Sequence, residues 1–134
     1  MIRNSCGADL WRHNYALVKG SKCDLVQNGK KSCAFFVSSI LKMFDLISGL
    51  HTTVLGVEKD LKQNGWQEIP ISSKIPKGSI LVWEKQRGHY HIGFYLGKEE
   101  AVSNSQMKKC PLLHDWTFHK KRKIIRAYQH HFLQ

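Results

Sequence analysis

The strongest constraint on the fold is an order along the chain. Segments with a helical period lie before residue 65, and segments of strand composition lie after residue 78. Cys33, Phe36, Val37, Ile40, Leu41, Phe44 and Ile47 repeat at i, i+3, i+4 and i+7, the stripe of a helix that buries one face. Ser32 is placed to cap its start and Gly49 to end it as a C′ residue. A second helix is expected from Thr53 to about Gln63, stopped by Asn64-Gly65. Four later segments are rich in β-branched and aromatic residues: 79–84, 89–96, 100–105 and 123–128. Short turns separate them, as in an antiparallel sheet. Residues 1–31 read as irregular, with a weak helical pattern over 10–18 and turns at Gly20-Ser21 and Asn28-Gly29. The expected class is therefore α+β, with N-terminal helices on one face of an antiparallel sheet of about four to six strands.

The chain has 134 residues, which suits one domain over 1–134 and leaves little room for another. No apolar run approaches the length of a membrane span, and the first ten residues hold no secretory apolar core. Net charge is +11, which attracts polyanions such as an anionic cell wall, acidic lipid or nucleic acid. The densest basic run is His119–Lys123. It reads first as a solvated loop and second as a phosphate-binding patch. No RNP, KH or zinc-finger pattern accompanies it, so nucleic acid is not the expected partner. Cys6, Cys23, Cys33 and Cys110 contain no C-x-x-C pair, which speaks against a zinc ribbon. Two disulfides in three connectivities are arithmetically open.

Cys33 stands at the first turn of the first helix. A helix N-terminus favours negative charge, and Lys30 and Lys31 precede it, so a depressed thiol pKa is expected. A thiol nucleophile needs a base, usually histidine, and a group that fixes the imidazole. If Gly97-Lys98 forms a two-residue II′ hairpin loop, Leu96 pairs with Glu99 and His91 lies opposite Asn104. Cross-strand partners point to one face with Cβ atoms roughly 5 Å apart. Asn104 is then expected to hold one ring nitrogen of His91, leaving the other for Cys33. Gly93, on the same face, leaves space beside the ring. Slippage by one residue breaks this arrangement. A rival set pairs His89 and His91 with Cys33 or His114 as zinc ligands. It lacks an acidic residue spaced to activate water.

Three segments, SCAFFV (32–37), PKGSILVW (76–83) and HIGFYLG (91–97), resemble the NlpC/P60 superfamily and its CHAP branch over roughly residues 30–106. That resemblance implies a papain-like fold and a cysteine peptidase or amidase acting on peptidoglycan, at a stem peptide or at the muramoyl–alanine amide. It implies Cys33 as nucleophile, His91 as base and Asn104 as orienter, with no metal or cofactor, in the cell envelope or outside the cell; the chain is expected to be a monomer. It also implies an oxyanion hole made by the Cys33 N–H and an upstream side chain: Gln27, Asn28 or Tyr15. The sequence departs from the family at Ser32, Ala34 and Ser79, positions where many members carry Asp or Gln, Ser or Thr, and Asp.

Overall fold

A computed structural model describes residues 1–29 and 31–131. A 3-10 turn at Arg3–Ser5 precedes a hairpin of β1 (Tyr15–Val18) and β2 (Ser21–Asp24). Helices α1 (Cys33–Met43) and α2 (Val54–Gln63) follow. The remaining strands are β3 (Trp66–Ile69), β4 (Ile80–Gln86), β5 (His89–Gly97), β6 (Glu100–Ser105), β7 (Cys110–Asp115) and β8 (Ile124–His130). The last six form one antiparallel sheet in the order β3-β8-β4-β5-β6-β7. The class is α+β, as the order of the segments predicts.

Both helices cover one face of this sheet. Phe36, Val37, Ile40 and Leu41 of α1, with Val57 and Leu61 of α2, pack on Ile80, Val82, Ile92, Phe94, Val102 and Tyr128. These sheet positions alternate along their strands, so their neighbours Leu81, Trp83, Tyr95 and Ala101 point to the other face. There they build a smaller core with Ile75 and Ile124, closed by Trp116 and Phe118. Side chains on this second face lie under loops rather than helices. Fully burying a residue such as Phe36 is worth about 1.5–3 kcal/mol, so the α1 stripe alone anchors the helix firmly.

Several local expectations need correction. The helical pattern over 10–18 yields strand β1, because Lys19 and Gly20 (φ 52° and 79°) form a tight hairpin loop between Val18 and Ser21. α1 ends at Met43, not near Gly49. Its left-handed C′ residue is Asp45 (φ 59°), with Leu46 N–H on Leu41 C=O and Asp45 N–H on Lys42 C=O. Strands β3 and β7 were not foreseen. β7 contains Pro111, which an edge strand tolerates because its outer side needs no ladder donor. The second helix matches its expected bounds; the Thr53 hydroxyl accepts from Gly56 N–H at 3.1 Å, and Gly65 (φ 84°) follows the end.

Candidate active site

The N-terminus of α1 meets the sheet where β5 and β6 part. Their pairing runs from Gly97↔Glu100 to Gly93↔Ser103, while Asn104 and Ser105 pair only with β7. Into that gap comes the Cys33 sulfur, which the Ile92 N–H faces as a donor. The nucleophile candidate thus rests on the residue immediately after His91. Among the described residues, no hydrogen bond joins the thiol to the His91 ring.

Ser32 occupies the N-cap position but does not cap. Its buried hydroxyl donates to Trp11 C=O instead. The first N–H groups of α1 therefore keep no side-chain acceptor, a state that favours an incoming anion. Those of Cys33 and Ala34 act on the sulfur itself. Burial nevertheless pushes the Cys33 thiol up, and the N–H groups of Ile92, Ala34 and Cys33 together with the Arg122 charge offset only part of that. The expected depression is reversed because desolvation of a thiolate outweighs the helix terminus here. Lys30, invoked for that depression, lies outside the described residues; Lys31 is exposed.

His91 stands on the second face, beside Trp83, and its Nε2 lies 2.7 Å from Ser103 Oγ. Ser103 Oγ lies 2.7 Å from His114 Nε2, and His114 Nδ1 lies 2.7 Å from Asp115 C=O. The protons in this chain follow from its end. A carbonyl only accepts, so His114 carries its proton on Nδ1. Burial holds His91 down to about 3, with further lowering from the Arg122 and His114 charges, and burial also lowers His114; both rings are neutral near pH 7. Neutral His114 must then accept at Nε2, so the Ser103 hydroxyl donates to it. The single Ser103 proton is thereby committed, and Ser103 Oγ accepts from His91 Nε2–H. His91 Nδ1 is left as a bare lone pair, the form a general base needs.

Asn104 does not orient His91. It is on the helix-facing side, and its Nδ2 donates to Gly29 C=O at 2.8 Å. The expected register is off by one residue. The loop is Lys98-Glu99 (φ 52° and 62°), with Gly97 (φ 83°) in a bulge, so Gly93 pairs with Ser103 rather than with Val102. Slipping by one moves Asn104 to the opposite face. Asn104 instead ties β6 to the loop that leads into Cys33. Gly29 in that loop also packs tightly on Lys109: a Cβ there would sit 2.7 Å from Lys109 O. Gly93 does give space, though to a different neighbour. A Cβ on it would lie 2.6 Å from Val102 O and 2.7 Å from Ser103 Cβ.

Ser103 and His114 were missed as a pair, and a signal existed for the first. Register Gly93↔Ser103 sets Phe94 against the larger, β-branched Val102, whereas the expected register sets it against Ala101. Arg122, from the basic run, was missed without any signal. It reaches back to β4 and β5, donating from Nε to Glu84 C=O at 3.0 Å and from Nη2 to His89 C=O at 2.8 Å. Its charge is felt by both Cys33 and His91. His89 is exposed, and its carbonyl serves Arg122. Among the described residues no three His, Cys, Asp or Glu side chains converge as metal ligands; His91 and His114 are bridged by a hydroxyl instead. All four cysteines are free thiols. Of the oxyanion candidates, Gln27 and Asn28 are exposed, and Tyr15 stacks on His13 on the hairpin with Lys22 over its ring. No family model and no curated protein matches the chain.

Proposed function

We propose that this chain is a cysteine hydrolase that cleaves an amide bond through an acyl-enzyme, with peptidoglycan peptides as substrate. The observation that carries the reading is the chain His91–Ser103–His114–Asp115 C=O, which leaves His91 Nδ1 unprotonated on the residue next to the sulfur's N–H donor. In the reaction, His91 Nδ1 takes the Cys33 thiol proton as sulfur attacks the carbonyl carbon. The uncapped N–H groups of α1 receive the developing oxyanion. The His91 imidazolium then protonates the leaving amine, giving a thioester. Water, losing a proton to His91, attacks the thioester and releases the acid with the thiol restored. Thiolate and imidazolium form together and attract, which offsets the cost of charging two groups that rest neutral. Peptidoglycan is favoured by the NlpC/P60 resemblance and by the charge of +11, which suits an anionic wall.

One observation favours a second reading, a binding module of the same fold without turnover. Cys33 is raised and His91 is held at about 3, so both rest neutral. Digestion of purified peptidoglycan, followed by mass spectrometry of the muropeptides, separates the two. The hydrolase reading expects cleaved stem peptides or free peptides with wild type and none with Cys33→Ala. Equal products from both proteins, or none from wild type, would overturn it.

A further inference from the structure

The basic run that Arg122 belongs to does more than reach the site. It walls an open groove of about 400 Å³ on the second face, with Ile71, Trp116 and Ile124 as apolar lining and Lys120, Arg122 and Lys123 as cations. Glu84 also borders it, its Oε1 accepting the Lys123 backbone N–H at 2.9 Å and its charge acting on Arg122. Among the described residues, none of Lys120, Arg122 or Lys123 has a carboxylate in ion-pair contact. With Glu84 as the one carboxylate against three cations, the lining keeps a net positive charge beside Ile71, Trp116 and Ile124, complementary to a group with an apolar stem and an anionic end. Arg122 links the groove to the candidate site, its charge reaching both Cys33 and His91. Arg122 holds the carbonyl of His89, two residues before His91 on the same strand.

We infer that this groove is a substrate subsite that seats a carboxylate-bearing side chain or chain end adjoining the scissile amide. The inference rests on the hydrolase reading for the identity of the reaction, but not for the presence of the subsite. Lys120 and Lys123 attract the carboxylate, Trp116 and Ile124 pack the stem, and Arg122 marks the boundary with the reacting atoms. Acidic amide substrates are therefore preferred over their neutral counterparts through KM.

Alkylation of Cys33 tests the subsite without a known substrate. Iodoacetate carries a carboxylate and iodoacetamide does not; the exposed Cys23 on β2 is an internal reference in the same protein. Peptide-resolved mass spectrometry gives the iodoacetate-to-iodoacetamide rate ratio at each cysteine. The ratio at Cys33 should exceed that at Cys23 and fall about fivefold in the Lys120→Gln/Lys123→Gln variant, as for two charges acting across several ångströms of water-like medium. Raising salt should produce a similar fall. Equal ratios at the two cysteines, or a Cys33 ratio untouched by the double variant, would overturn the subsite. Peptidoglycan cleavage with an unaltered ratio refutes the subsite alone; a lysine-dependent ratio without cleavage leaves the subsite and refutes the hydrolase.

Discussion

Removing one oxygen atom tests the proton assignment most sharply. Ser103 is 2% exposed, and its hydroxyl is the common partner of His91 Nε2 and His114 Nε2. In Ser103→Ala both nitrogens lose that partner inside the protein. Leaving a buried polar group unsatisfied costs about 1–3 kcal/mol. With two groups affected and some relaxation of the rings, stability should fall by about 2–4 kcal/mol, read from urea unfolding. Turnover should fall further than stability explains. Without Ser103 Oγ nothing favours the tautomer that frees Nδ1, and a lost hydrogen bond of about 1.4 kcal/mol corresponds to about tenfold in rate. His114→Ala acts through the same oxygen, so the double variant should be barely slower than Ser103→Ala. Asn104→Ala, which removes an amide bonded to Gly29 C=O in the loop before Cys33 and more weakly to Ser105 C=O, should lower turnover less than Ser103→Ala. A folded Ser103→Ala protein with kcat within twofold of wild type, or additive effects of Ser103→Ala and His114→Ala, would refute the assignment.

Two other outcomes follow from the same geometry. His91 is neutral in the fold down to about pH 3 but takes up a proton near pH 6.5 once unfolded. The unfolded state therefore binds more protons between these limits, and stability falls as pH drops from 6.5 towards 3. At pH 4.5 the loss is roughly 3 kcal/mol from this group, and His91→Gln, which keeps a donor for Ser103 without titrating, should flatten the dependence measured by urea unfolding. A slope unchanged in His91→Gln would show that the ring is not held neutral. Gly93→Ala places a methyl 2.6 Å from Val102 O and 2.7 Å from Ser103 Cβ in rigid sheet. It should cost about 1–3 kcal/mol in thermal or urea unfolding, with the activity loss resembling that of Ser103→Ala; unaltered stability would mean that β5 and β6 do not approach so closely.

How far the candidate site could be read in advance differs from residue to residue. Cys33 and His91 stand out because each is tied to a strong local pattern: a helix start, and an apolar strand with alternating burial. The third group did not stand out, since it depends on a hairpin whose loop uses Lys98 and Glu99 at positive φ, residues that carry no turn signature of their own. His114 lies on a strand that contains proline and reads as a tail. Arg122 sits in a run of four cations of which any could have turned inward.

The amino-acid order by itself determined the α+β class, the bounds of α2, the start of α1 and the central strands, because these follow from periodicity, capping and β-branched content within a dozen residues. Only the tertiary structure decided which face each strand residue shows, whether the Cys33 thiol is raised or lowered, and which partner fixes His91. Those outcomes depend on a one-residue bulge, on the loss of water around the sulfur and on contacts between residues that lie far apart in sequence, as Arg122 and His89 do. Local propensity carries no information about such quantities until the chain has packed.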